Sequence, residues 1–195
     1  DERFGRVDPS RPSVGRDVND LCRAGDAKAT EVIHDAGFAL GASLGSLANI
    51  LDPEVIVLSG GVGTGKTCLA SAISRAVVEK GYAAKIMSAY EFNALMLKIH
   101  TSPIAERNAL IHDVITADLL LIDDLGTEPM LKNVTVEYLL LVIEERQTKG
   151  RATLVTTNLD TDGILLRYGE RIYSRLSHKQ RSKIIEMNGK DLRIN

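Results

Sequence analysis

Tryptophan is absent from the 195 residues, and there are only three phenylalanines. That scarcity argues against an aromatic platform of the kind that stacks successive bases. Cysteine is nearly absent too: Cys22 and Cys68 stand far apart with no CxxC spacing. A disulfide framework and a zinc site are therefore not expected, and a reducing cytoplasm is. The start of the chain lacks the basic and apolar pattern of a signal peptide. The longest uncharged run, Ala36 to Leu51, spans 16 residues and is broken by glycines. A bilayer span needs roughly 20 apolar residues, so no membrane association is expected. No charge of one sign dominates either, since the net charge is −2. Any affinity for nucleic acid must come from how charge is distributed, not from its sum.

What is present is an apolar fraction of 44% and a charged fraction of 26%, ordinary for a globular protein. The length suits one α/β domain with a real core and a small appendage. Residues 1 to about 20, with Pro9 and Pro12, read as a flexible lead-in. From Asp26 to Leu51 apolar residues recur at steps of three and four, which predicts a helix. Its Gly37, Gly41 and Gly45 share a face suited to close packing. Asp52-Pro53 stops that helix.

Beyond this point strands and helices alternate. Buried strands are expected at 54–59, 84–88, 119–122, 152–156 and 183–187, with helices at 66–80, 91–100, 104–116 and 133–149. Units of this length imply a five-stranded parallel sheet with helices on both faces. The expected division is a lead-in and helix over 1–53 and an α/β domain over 54–195.

The most specific signal is Gly60-Gly61-Val62-Gly63-Thr64-Gly65-Lys66-Thr67, a full G-x-x-x-x-G-K-[ST] match between a strand and a helix. Glycines let backbone N–H groups wrap phosphates, and the helix N-terminus adds a favourable dipole. Lys66 is expected to reach the β- and γ-phosphates of ATP, and the Thr67 hydroxyl to ligate Mg²⁺. Cys68, next in the helix, completes the expected nucleotide-binding set.

The run Leu119-Leu120-Leu121-Ile122-Asp123-Asp124 is four apolar residues ending in two acids. Ligands of open α/β sheets bind at strand C-termini, so these acids are expected in the nucleotide crevice. Asp123 would hold Mg²⁺, directly or through water, and Asp124 would act as general base on the attacking water. Asn158, after the fourth strand, sits where an amide can orient that water. The plainer reading is an Asn that starts a turn. From Arg167 to Arg193 eight basic residues outnumber three acids, a local +5 in an otherwise acidic chain. One of these arginines could complete a neighbour's site and others could bind single-stranded DNA; a solvated basic face is the alternative.

Together with Phe92-Asn93-Ala94-Leu95-Met96, Asp123-Asp124-Leu125-Gly126-Thr127-Glu128 and Gly169-Glu170-Arg171-Ile172-Tyr173-Ser174-Arg175-Leu176, these residues resemble the DnaC/DnaI and IstB group of AAA+ ATPases. The resemblance runs from about Gly61 to the end, through Gly189-Lys190-Asp191-Leu192-Arg193. It implies a P-loop ATPase of the replicative helicase loader type, acting with single-stranded DNA and a replicative helicase. IstB relatives assist transposition instead. By the same resemblance Asn158 is a sensor, and Arg175 is the likeness's arginine finger, acting on an adjacent subunit of a homo-oligomer, with Arg171 second. Asp124 in place of the usual AAA+ Glu is normal for this group and implies modest turnover.

The first 60 residues look different. Ala24-Gly25-Asp26-Ala27, Ala36-Gly37-Phe38-Ala39-Leu40-Gly41 and Ala48-Asn49-Ile50-Leu51-Asp52-Pro53 leading into Glu54 to Val62 resemble the C-terminal part of ROK-family sugar kinases and repressors. The D-x-G-x-T loop, the E-x-G-H sugar motif and the cysteine-rich zinc motif of that family are missing. The chain thus reads as a ROK-like piece joined to the ATPase within Ser59 to Gly63. A sugar-binding fragment or regulator is the third, weakest functional reading.

Overall fold

Each strand of this chain is a short apolar run, and in a parallel sheet such runs are buried on both faces. The computed structural model describes residues 27–28, 54–61, 64–178 and 181–187. The lead-in, the helix expected over 26–51 and its glycine face therefore lie almost wholly outside the described residues, and of the segments likened to ROK proteins only Ala27 and residues 54–61 lie within them. The elements in chain order are β1 (Val55–Gly60), α1 (Lys66–Glu79), β2 (Ala84–Ser88), α2 (Ala89–Thr101) and α3 (Ile104–Thr116). They continue with β3 (Leu119–Leu125), α4 (Thr135–Thr148), β4 (Ala152–Thr157), α5 (Thr161–Leu176) and β5 (Ser182–Met187). The five strands form one sheet in the order β2-β3-β4-β1-β5, every pairing parallel.

Alternation within the strands divides the core in two. Val55 and Val57 of β1, Leu120 and Ile122 of β3 and Val155 of β4 join one cluster, covered by α2, α3, α4 and α5. Leu58, Leu119, Leu121 and Leu154 point the other way, onto Ala70, Leu69, Ile73 and Val77 of α1. Neighbouring strands β1 and β4 thus send their following helices to opposite faces. A crevice opens at the carboxyl ends of strands where that happens, and that is where α/β sheets hold ligands.

Two departures from the sequence reading matter. First, α5 was not expected, because Arg167 to Arg193 reads as a charge run. Ile164, Tyr168, Ile172 and Leu176, four residues apart, are all buried on one face of it. The helix breaks at Gly169, whose φ of 81° and ψ of 172° lie outside helical space. Second, β3 does not end at Ile122. It runs on through both acids to Leu125, with a register shift against β4 between Ile122 and Leu125.

Among the described residues Arg146 is the largest side chain without exposure. Its guanidinium donates to the carbonyls of Val114 (2.7 Å), Ile115 (3.3 Å) and Ala117 (2.9 Å) at the end of α3. It also donates to the Thr153 hydroxyl (3.0 Å) and the Ala152 carbonyl (2.5 Å) of β4. The last carbonyls of a helix lack intrahelical donors, so this cation caps α3 from inside the protein. Burial drags its pKa from 12.5 to about 10, so it stays charged at neutral pH.

Candidate functional site

The glycine-rich turn starts inside the sheet. Gly60 is the last residue of β1, with φ of +133°, and a Cβ there would sit 2.4 Å from the Met187 carbonyl of β5. Only glycine passes β5 so closely. Gly65, with φ of 87°, turns the chain into α1. The N-terminus of α1 has no capping side chain and no acid in its first turn. Its N–H groups and dipole therefore suit an anion.

Lys66 is nearly buried and donates to the Gly60 carbonyl (2.8 Å), the Gly61 carbonyl (2.6 Å) and the Thr64 hydroxyl (3.3 Å). Thr64 in turn donates to the Gly61 carbonyl (2.9 Å). The ammonium thus braces the turn it belongs to. Cys68 is exposed on α1, and Val62 and Gly63 lie outside the described residues.

Across the crevice, the two acids of β3 are held apart from one another. Asp123 accepts from the Thr67 hydroxyl (3.1 Å) and from the Thr156 hydroxyl (2.5 Å), both on the same oxygen. Asp124 has φ of 60°, left-handed space that Asp tolerates better than most residues. Its N–H donates to the Thr156 hydroxyl (2.7 Å), and its carboxylate accepts from the Asn158 amide (2.8 Å). The register shift of β3 and this turned residue send the two carboxylates to different partners. Thr67, Asp123, Asp124 and Asn158 are therefore brought together. Arg175 is not among them. It lies in the last turn of α5, and its guanidinium donates twice to one oxygen of Glu144 on α4 (3.2 and 2.8 Å).

Two residues at the site were not singled out from sequence. Thr156, 1% exposed, links both acids through one hydroxyl. Glu128, 2% exposed, accepts from the Gly126 N–H (2.9 Å) and from the Tyr168 hydroxyl. Thr156 lies at the tip of β4, two residues before the Asn158 singled out from sequence, so its place was a usable signal. For Glu128 the signal was the DLGTE string itself.

The donor chemistry fits a magnesium nucleotide. Thr67 offers a hydroxyl and Asp123 a carboxylate, the oxygen ligands that a hard cation prefers. Among the described residues no group of three or more His, Cys, Asp or Glu could hold a metal alone. Mg²⁺ is usually held by one or two protein ligands together with phosphates and water, so this sparse set suits it. No helix among the described residues is long and apolar enough to cross a membrane.

Comparison with known proteins decides the family. The family model of IstB-like ATP-binding proteins matches residues 31–195. The chain belongs to the IstB-like ATP-binding protein family. This IstB-like match begins about thirty residues upstream of Gly61, inside the stretch expected from sequence to be ROK-like. Among relatives, the replicative helicase loader DnaC of Buchnera aphidicola subsp. Acyrthosiphon pisum is 33% identical over 124 residues, covering 62% of this chain and 49% of that protein. DnaC of Escherichia coli K12 is 27% identical over 122 residues, with the same coverage. The IstB-like chain spans about half the length of these relatives. The crystal structure of the DnaC helicase loader superposes with a TM-score of 0.58 at 22% identity, over 70% of this chain and 78% of that one. Domain III of the Thermotoga maritima replication initiation protein DnaA gives 0.61 at 19%, over 80% and 61%. These two structures share the fold.

Proposed function

We propose that this chain is an ATP-hydrolysing member of its family, of the replicative helicase loader type, coupling nucleotide state to single-stranded DNA or helicase binding. The observation that carries the reading is the junction of Thr67, Asp123 and Thr156 beside the Asp124–Asn158 pair. It joins the nucleotide-binding turn to a candidate base at the carboxyl end of the sheet.

In this reading the α1 N–H groups and Lys66 bind the phosphates, with Gly60, Gly61, Val62, Gly63, Thr64, Gly65, Thr67 and Cys68 forming the cradle. Thr67 and Asp123 hold Mg²⁺, which supplies positive charge to the phosphoryl oxygens. Asp124 takes the proton of the attacking water, and Asn158 orients Asp124 and that water. An Asp is one methylene shorter than the Glu usual among AAA+ proteins, which supports modest turnover. Arg175 would supply charge to a neighbouring subunit's site in a homo-oligomer. The ATPase domain occupies 54–195, the ROK-like stretch is an N-terminal fusion, and the protein works in the cytoplasm.

Titration of a fluorescent ATP analogue with Mg²⁺ tests this, the chain as given against Lys66→Ala. The expected result is saturable binding that Lys66→Ala abolishes, followed by slow phosphate release that Asp124→Asn removes. A folded chain that binds no nucleotide would sink the proposal. A second reading, a transposition accessory using ATP as a switch, is favoured by the family match over residues 31–195. It predicts ATP-dependent DNA binding with no retention of a replicative helicase in a pull-down.

A further inference from the structure

The buried Glu128 carboxylate plays no part in the chemistry described so far, yet it sits between the acidic turn and α5. One of its oxygens accepts from Gly126, two residues after Asp124, and the other accepts from the Tyr168 hydroxyl. Arg167 donates to the Glu128 backbone carbonyl and lies 3.7 Å from the carboxylate. A carboxylate this buried is stable only with such partners, so the three side chains hold one geometry. Burial first, and the Glu128 contact second, push the Tyr168 phenol above its ordinary range, so it remains a donor at neutral pH.

The same half of α5 is tied to the acids a second time. Asn158 donates to Asp124, and the next residue, Leu159, packs where a Gly126 Cβ would be, its Cδ1 2.9 Å from that position. Asp160 then caps the helix by accepting from the Gly163 N–H (2.8 Å). Residues 160–168 are therefore anchored to the acidic turn at both ends. The break follows at Gly169, where a Cβ would meet nothing within 4 Å. Space therefore does not demand glycine there; the left-handed backbone does, and it divides the helix into two segments. Beyond it lie Arg171 and Arg175.

From this we infer that Glu128 and Tyr168 are positioning residues. They form a strut that transmits displacement of the Asp123–Asp124 turn to the Gly169 break and sets where Arg175 is presented. The strut acts through the acids and the arginine and touches no nucleotide. It rests on the nucleotide reading above.

Hydrogen exchange, read segment by segment, tests it at protein concentrations where sedimentation shows monomer. In the parent chain, the Mg²⁺ complex of a non-hydrolysable ATP analogue is expected to change exchange over residues 170–176 by at least about fivefold, a usual coupling size. In Tyr168→Phe the analogue should still bind and still protect the start of α1, while the change over 170–176 falls below about twofold. A purely structural role would shift the baseline exchange and leave the nucleotide-linked difference in place. The double variant Glu128→Gln with Tyr168→Phe also removes the buried charge, and is read in the same way should Tyr168→Phe alone unfold. A difference over 170–176 that persists in a nucleotide-bound variant overturns the strut, as does its absence in a parent that binds nucleotide through Lys66. Failure of the parent to bind nucleotide overturns the functional reading and the strut together.

Discussion

Replacing Thr156 with valine keeps the shape of the side chain and removes its hydroxyl. That hydroxyl has one proton, which goes to Asp123 at 2.5 Å, and a lone pair, which takes the Asp124 N–H at 2.7 Å. Thr156→Val therefore deprives a carboxylate of its closer donor and leaves an N–H without its acceptor. A hydrogen bond to a charged group contributes about 1.5–3 kcal/mol, and an orphaned buried group costs about 1–3 kcal/mol. Both acids are partly exposed, so water recovers some of this. The net loss should be about 2–3 kcal/mol, or roughly 4–12 °C in Tm for a chain of this size.

Two effects then compete at Mg²⁺. Loss of a donor frees a lone pair of the Asp123 carboxylate, which favours metal. Loss of orientation lets it rotate away from Thr67, which disfavours metal, and removal of such outer partners typically weakens metal binding about 10–100-fold. Orientation should win, because Thr67 alone, at 3.1 Å, is a poor tether. The assay is a Mg²⁺ titration of fluorescent-analogue binding at fixed nucleotide. Metal-free binding, which depends on the turn and Lys66, should stay within about twofold, while the Mg²⁺ midpoint rises about 10–100-fold. Thr156→Ser should restore it. A folded Thr156→Val chain with an unmoved Mg²⁺ midpoint would refute the reasoning.

Three further outcomes follow from other parts of the fold. Arg146→Met should lower stability by about 2–5 kcal/mol, because several buried carbonyls lose their donor at about 1–3 kcal/mol for each left unsatisfied, and thermal unfolding would show it. Arg175→Ala, which breaks only an exposed pair with Glu144, should stay within about 1 kcal/mol, so similar losses for the two would contradict the burial argument. Gly60→Ala should cost about 2–4 kcal/mol through its positive φ and the Met187 carbonyl. Gly61→Ala, where a Cβ meets only a Thr64 methyl at 3.8 Å, should change the denaturant midpoint little. Finally, Tyr168 has its pKa raised above 10.0, by burial first and by Glu128 second. The stability this contributes is fully present below pH 10 and is lost as pH rises past it, since the unfolded chain then ionises first. Phenolate absorbance should show one of the five tyrosines titrating only as the fold opens, and Tyr168→Phe should abolish that step.

The nucleotide turn and the sheet were legible because both depend on local pattern. Glycines in a fixed spacing and apolar runs bounded by turn residues announce themselves within a window of ten residues. The strands at 84–88 and the helix at 104–116 were placed at their observed ends. What stayed hidden depends on partners distant in sequence. Thr156 reaches Asp123 from 33 residues away, and Tyr168 reaches Glu128 from 40. No periodicity encodes those contacts. Helix α5 was hidden for another reason. Its buried residues recur every fourth position, but the exposed Leu165 and Leu166 blur that period, and Gly163 and Gly169 interrupt the helix propensity.

The basic end of the chain shows most clearly why composition and structure can disagree. In the sequence, Arg167, Arg175 and Arg181 belong to one cationic run. In the fold each meets a carboxylate from outside that run: Glu128, Glu144 and Glu54. Those contacts also differ in kind. Glu128 is 2% exposed, so Arg167 is held by a group that needs it. The Arg175–Glu144 pair is 46% and 37% exposed, and such a pair contributes about 0–1 kcal/mol. Under the proposed function, a neighbour's phosphoryl group, carrying more charge than one carboxylate, would compete with it. The pair with Glu144 can therefore orient Arg175 without sequestering it. Arg175 and Arg171 are the exposed arginines of α5, and the proposed function would draw its finger from these two.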